Sequence, residues 1–184
     1  MDNKSLLDKI WHIWTNLNQP VLVEEYISGR EFQVGVWGNK EINLLSPVEA
    51  IFSKFEDPRD HICTMDSKND PLSYRFQLAD MIIPAQLNKT QIQNVNQISK
   101  NAYQAINCRD YAKMDIRLCD NNFYVIDVNA NPFIGLECGL VRSAELEGYS
   151  YREFTSQIIN SLAIECDLNK LLTTSEISMD FFNK

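Results

Sequence analysis

Asp115, Asp127 and Asn129 are hard oxygen donors on two short apolar runs, Tyr111 to Leu118 and Asn122 to Val128, joined by a polar turn. Residues of one parity in a strand share a face, so Asp127 and Asn129 project together. Asp115 can meet them from the neighbouring strand of a hairpin. Two carboxylates and an amide on one face suit Mg2+, which takes oxygen ligands and is often completed by nucleotide phosphates. The alternative reading of the same spacing is a hairpin whose polar face is simply solvated.

Other elements must hold that hairpin in place. Asn3 to about Asn18 has the period of an amphipathic helix, with Leu6, Leu7, Ile10, Ile13 and Trp14 on one stripe. Pro20 ends it, because the residue before proline disfavours the helical region. Val21 to Ile27 then reads as a strand, Ser28-Gly29 as a turn, and Glu31 to Trp37 as a second, alternating strand. After a turn at Gly38-Asn39, Glu41 to Ile51 supplies a third strand, interrupted near Pro47. The stretch from about Ser53 to Pro84 has no clear period and carries Lys54, Arg59, Lys68 and Arg75. A connection this long is either functional or an ordinary surface loop. Thr90 to about Asn107 is helical, with Ile92, Val95, Ile98, Ala102, Ala105 and Ile106 as its stripe. A last helix starts near Ser150, and Ser175 to Lys184 reads as an extension or frayed terminus. Strands joined by hairpins and flanked by helices give an α+β fold.

Composition bounds the function. The 184 residues suffice for one sizeable core, with 45% hydrophobic and 23% charged residues, ordinary globular values. A net charge of -8 argues against a general nucleic-acid or anionic-membrane surface, so a polyanionic ligand needs local cations or a metal. Five cysteines without a CxxC pair and only two histidines disfavour a zinc site and fit free thiols in a reducing cytosol. No apolar run is long enough to span a bilayer, and the first residues lack the apolar core of a signal peptide. The expected location is the cytoplasm.

Two stretches together resemble one family. Val23-Glu-Glu-Tyr-Ile-Ser-Gly-Arg-Glu-Phe32 resembles the interdomain strand and turn of ATP-grasp enzymes. Asp115 with Asp127-Val-Asn-Ala-Asn-Pro132 resembles their metal-binding strands. The likeness is to D-alanine–D-alanine ligases and related carboxylate–amine ligases, and it runs from about Val21 to Ile159. It implies an ATP-grasp C-terminal subdomain, a mainly antiparallel sheet flanked by helices, over residues 21–165. Residues 1–20 would then be a helix left from the preceding subdomain and 166–184 a C-terminal extension.

The resemblance also implies roles. Glu24 would accept from the adenine amino group, the Glu25 to Ile27 backbone would face the adenine edge, and Tyr26 and Ile126 would line the slot around the base. Glu31 would bind the ribose hydroxyls. Asp115, Asp127 and Asn129 would hold Mg2+ at the ATP phosphates. Lys113, Asn131 and Lys68 would be the catalytic groups, with Lys113 facing the transferred phosphate or an acyl phosphate. The implied reaction moves the γ-phosphoryl group of ATP to a small-molecule carboxylate, whose acyl phosphate is then attacked by an amine. Arg142 reads either as a binder of a substrate carboxylate or as a partner of Glu145.

The chain also departs from the pattern. Asp127 stands where the family usually has Glu, Lys113 where it often has Arg, and Phe133 where the dipeptide ligases have Gly after the proline. The segment Phe133 to Gly139 lacks the serine-containing stretch of those enzymes, which points away from D-Ala-D-Ala specificity. Only about twenty residues precede the hinge-like segment, with no glycine-rich loop among them. The resemblance therefore implies half of an active site. The other half would come from another stretch of polypeptide or a second copy, or the chain is a catalytically incomplete binding module.

Overall fold

The computed structural model describes residues 3–64, 72–74, 78 and 80–165. Lys68 and the extension 166–184 lie outside the described residues.

Helix α1 (Asn3–Leu17) opens the chain. Strands β1 (Arg30–Trp37), β2 (Asn43–Leu44), β3 (Val48–Ile51) and β4 (Asp80–Ile82) follow. Next come α2 (Lys89–Ala105), the hairpin β5 (Tyr111–Cys119) and β6 (Asn122–Asn129), then α3 (Gly139–Leu146) and α4 (Tyr151–Glu165). The strands form one antiparallel sheet in the order β4-β3-β1-β5-β6, with β2 pairing the far end of β1 beside β3. This is the α+β, mainly antiparallel arrangement expected from the sequence.

Alternation along β1 builds a two-sided sheet. Phe32, Val34 and Val36 point to one face with Met114 and Ile116 of β5, all fully or almost fully buried. Val95 and Tyr103 of α2 close over them and form the main core. The Tyr103 hydroxyl donates to the Gly38 carbonyl at 3.0 Å, which satisfies its polar end. Val95 lies in the core as the stripe requires, but Ile92 and Ile106 are exposed, and the large buried residue of the helix is Tyr103. Tyr103 lies off the aliphatic stripe, so its place in the core was a weak signal in the sequence.

The opposite face of the sheet carries Glu31, Gln33, Gly35 and Trp37 of β1 beside Arg117, Asp115, Lys113 and Tyr111 of β5. Helices α3 and α4 cover only one end of it. There Leu140, Val141, Ala144, Phe154 and Ile158 pack with Trp37 in a second core. Gly35 permits that approach, since a Cβ built on it would lie 2.2 Å from Leu140 Cδ1 and 2.8 Å from Leu45 Cδ1. Among the described residues no helix packs on the other end, which is the polar end.

One element differs from the sequence reading. Val21 to Ile27 is not a strand: it has no regular secondary structure, and Leu22 and Val23 are exposed. Its apolar pattern was real, but strand status needs a neighbouring strand, and among the described residues none pairs with it.

Helix α4 starts with a reciprocal cap. Ser150 donates its backbone N–H and its hydroxyl to Glu153 Oε2 at 2.8 Å and 2.6 Å, and the Glu153 N–H returns a bond to Ser150 Oγ at 3.2 Å. The Ser150 hydroxyl and backbone N–H hold the Glu153 carboxyl below its ordinary value. A depressed folded value means that this stabilisation is present above the ordinary glutamate range and lost as pH falls through the folded value. Glu153→Gln is therefore expected to narrow the difference between the neutral and acidic melting temperatures. Thermal melts from about pH 7 to about pH 3 check this, and an unchanged slope would refute the assignment.

Candidate functional site

The hairpin that carries the oxygen donors closes through Asp120 and Asn121, both at positive φ (48° and 63°). A two-residue loop of this kind matches the twist of the strands, and Asp and Asn tolerate the left-handed region best among non-glycine residues. Near the turn the register pairs Leu118 with Phe123, Arg117 with Tyr124 and Ile116 with Val125. Beyond it the register slips by one residue, so Asp115 pairs with Asp127, Met114 with Val128 and Lys113 with Asn129. Ile126 is the extra residue of a β-bulge.

That bulge sets the chemistry. Continued without a slip, the turn register would oppose Asp115 to Ile126 and Asp127 to Met114, which is fully buried on the core face. With it, Asp115, Asp127, Lys113 and Asn129 all stand on the polar face, opposite the α2 core. Phe123, Val125 and Val128 still pack against the core.

An open cleft of about 550 Å³ lies over this face. Its floor is Glu31, Asp115, Arg117 and Tyr124 to Asp127, and its wall is Glu24 to Ile27 together with Ile62 and Cys63. The structure thus brings Glu24, Glu25, Tyr26, Ile27, Glu31, Ile126, Asp115 and Asp127 around one cavity. Lys113 borders it: its Nζ lies 2.9 Å from Asp115 Oδ1 and donates to Oδ2 at 3.3 Å. Asn129 Oδ1 accepts from the Asn131 N–H at 2.9 Å, and Asn131 Oδ1 accepts from the Tyr111 hydroxyl at 2.8 Å. Asn131 is therefore engaged in shaping the turn after β6 rather than aimed into the cleft. Arg142 pairs with Glu137, not with Glu145, because Glu137 lies just ahead of the first turn of α3.

The donor set fits a magnesium ion that is partly held by a ligand. Among the described residues no group of three His, Cys, Asp or Glu side chains could hold a metal. Asp115 and Asp127 face each other across the ladder, and Asn129 has a second lone pair on Oδ1 beyond the one given to Asn131. Two carboxylates and one amide leave positions for phosphate oxygens and water, the usual Mg2+ arrangement.

The residue that sequence reasoning missed is Arg117. It is 2% exposed on the floor of the cleft and donates Nη2 to Glu31 Oε2 at 2.6 Å. Nη2 also donates to the His61 carbonyl. Nη1 reaches the Tyr26 hydroxyl at 3.2 Å and the Gly29 carbonyl at 3.4 Å. The guanidinium lies over the Tyr26 ring at 5.2 Å. Its parity with Lys113 and Asp115 was the available signal, since a charged residue on the same strand face had to share their surroundings.

Comparison with known proteins places the chain. The family model described as "D-ala D-ala ligase C-terminus" matches residues 2–160. An uncharacterised protein of Sinorhizobium fredii is 31% identical over 150 residues, covering 80% of this chain and 42% of that protein. The D-alanine–D-alanine ligase of Trichlorobacter lovleyi is 30% identical over 147 residues, covering 79% of this chain and 42% of the ligase. Among solved structures, the ATP complex of the Bacillus anthracis D-alanine–D-alanine ligase superposes with a TM-score of 0.69 at 22% identity. That match covers 90% of this chain and 49% of that one, and the likeness is one of fold. The VanG D-Ala:D-Ser ligase of Enterococcus faecalis gives a TM-score of 0.69 at 15% identity, over 88% of this chain and 44% of that one. This chain spans about half the length of the curated relatives it matches.

Proposed function

This chain belongs to the family of D-alanine–D-alanine ligase C-terminal domains, with an ATP-grasp fold, and from that membership and its cleft we propose that it is the nucleotide- and metal-binding half of an ATP-dependent carboxylate–amine ligase. The observation that carries the proposal is the bulged register, which turns Asp115 and Asp127 onto the floor of the cleft walled by Glu24 to Ile27. Glu24 and the Glu25 to Ile27 backbone present acceptors and donors for an adenine edge, and Tyr26 and Ile126 supply apolar surface for the base. Asp115, Asp127 and Asn129 would hold Mg2+, which when bound neutralises phosphate charge. Lys113 is positioned to leave Asp115 and meet a phosphate oxygen from the same strand face.

The reaction assigned to the complete unit has two displacements. A carboxylate oxygen of the substrate bonds to the γ-phosphorus of ATP, and ADP leaves. The amine nitrogen then bonds to the acyl carbon, phosphate leaves and the amine loses a proton. Positioning and charge neutralisation supply most of the rate in such transfers. The departures at Phe133 and in the segment Phe133 to Gly139 favour substrates other than two D-alanines. The working location of such an enzyme is the cytoplasm, and among the described residues no helix is long and apolar enough to cross a membrane.

The partner we assign is the other half of the ligase, on another stretch of polypeptide or on a second copy. None of the described residues of α1 is buried, and Leu7, Trp11, Trp14 and Leu17 are exposed along it. An apolar stripe this wide is a surface for covering. A second reading is a binding module without turnover. It is favoured by the fact that Lys113 and Arg117 are both already paired with carboxylates.

Calorimetric titration of the chain with ATP at millimolar Mg2+ tests the nucleotide reading. Mg2+-dependent heat of binding is expected, and its complete absence would remove the reading. Loss of the response on omitting Mg2+ separates metal-assisted binding from adenine binding alone.

A further inference from the structure

We propose that Lys113 makes the site select its metal as a metal–nucleotide complex and disfavour the bare ion. The inference rests on the nucleotide reading above and concerns how metal and phosphate binding are coupled.

The ladder fixes four side chains as the corners of one patch. Asp115 pairs with Asp127 and Lys113 with Asn129, so three oxygen donors and one ammonium share adjacent register positions on the polar face. Residues directly opposite each other lie about 5 Å apart at Cβ, and alternate residues of one strand about 7 Å apart. A cation held by Asp115, Asp127 and Asn129 is therefore a close neighbour of Lys113. The Lys113 Nζ sits 2.9 Å from Asp115 Oδ1 and 3.3 Å from Oδ2, astride the carboxylate, and the two side chains are 15% and 6% exposed. Both oxygens keep a lone pair for a metal; what Lys113 removes is charge. Repulsion between an ammonium and a divalent ion needs no shared lone pair, and little water is present here to screen it.

Two carboxylates against one ammonium leave the patch a single net negative charge. Arg117, next along the same face of β5, does not alter that balance, because Glu31 matches it at 2.6 Å. Mg2+ gives up its water reluctantly, and a patch with a cation inside it offers the bare ion little in exchange. A metal–nucleotide complex reverses the effect of the lysine. Its phosphate oxygens attract the ammonium, and the flexible four-carbon stem lets Nζ turn from Asp115 toward them as a point charge. Asp115 is then released to the metal. Lys113 thus opposes the metal alone and favours the metal with phosphate, so its removal moves the two affinities in opposite directions.

The experiment uses Mn2+ in place of Mg2+, because the free ion is read directly by its paramagnetic resonance. The full chain and Lys113→Met are titrated with Mn2+ alone by that signal and with Mn·ATP by calorimetry, at about pH 8, above the carboxylate range. Lys113→Met is expected to bind bare Mn2+ about tenfold more tightly than the unaltered protein and Mn·ATP about tenfold more weakly. The gain for the bare ion should vanish when Asp127→Asn is added, and a gain that survives overturns the proposal. Lys113→Arg keeps the charge and should bind bare Mn2+ as weakly as the unaltered protein. A bare-ion affinity that is unchanged or lower in Lys113→Met overturns the proposal, and so does a rise in both affinities. If Lys113→Met does not fold, Lys113→Gln is read against the same outcomes. Bare Mn2+ bound by the unaltered protein as tightly as Mn·ATP overturns the proposal without any variant. Failure of Mn·ATP to bind the unaltered protein removes the nucleotide reading and this inference with it. Binding of Mn·ATP with a bare-ion affinity unmoved by Lys113→Met removes this inference alone.

Discussion

Asp115→Asn is expected to weaken Mg·ATP binding by at least about tenfold, or about 1.4 kcal/mol, while the chain stays folded. The substitution removes one of two facing carboxylates and keeps the shape of the side chain. Asp115 is 4% exposed, so its charge acts with little screening by water. Lys113 loses its carboxylate, and because the two side chains are only 15% and 6% exposed the stability cost is roughly 2 to 4 kcal/mol. Asn129→Ala should weaken binding in the same direction by less, since it removes a neutral ligand. Titration of each variant with Mg·ATP, next to a denaturant unfolding curve, separates a lost ligand from a lost fold. If both variants bind as the unaltered chain does, the metal assignment is wrong.

Gly29→Ala is expected to destabilise the chain by about 3 kcal/mol or more. Gly29 sits at φ 121°, a conformation that side chains with a Cβ rarely adopt, and a Cβ there would lie 2.1 Å from the Leu118 carbonyl oxygen. That neighbour is backbone inside the β1–β5 ladder and cannot rotate away. Relief requires the turn to lift off β5, and the turn joins the Glu24 to Ile27 wall to β1. The same substitution should therefore lower nucleotide affinity as well as stability, by displacing Tyr26 from Arg117. Chemical denaturation gives the first effect and calorimetry the second. An unfolding free energy within about 1 kcal/mol of the unaltered chain would mean that the turn adapts without strain.

Much of the fold was legible because local chemistry and long-range packing agree along most of the chain. The β1 alternation of Phe32, Val34 and Val36 reads the same in sequence and in the core. The Asp120-Asn121 turn fixes the hairpin by its own backbone preferences. Where a reading failed, the deciding partner was remote. Val21 to Ile27 has strand chemistry but, among the described residues, no strand to pair with, while Arg142 finds Glu137 ahead of its helix rather than Glu145 within it. Arg117 looked like an ordinary strand arginine until the fold brought Glu31, Tyr26 and the His61 carbonyl to it from three separate segments.

The donor types were fixed by sequence alone: two carboxylates, an amide and a lysine on a hairpin, with Glu24 and Glu31 upstream. Their sidedness was not. In Phe123-Tyr-Val-Ile-Asp-Val128 both Val125 and Ile126 are apolar, so either could face the core, and the two choices send Asp127 to opposite faces. Packing against α2 decides in favour of Phe123, Val125 and Val128, which breaks the two-residue period and forces Ile126 out as a bulge. A period of two cannot encode its own interruption. Burial of three apolar side chains on one face, satisfied only in the assembled sheet, is what turns Asp127 toward Asp115 and makes the polar end of the hairpin a site.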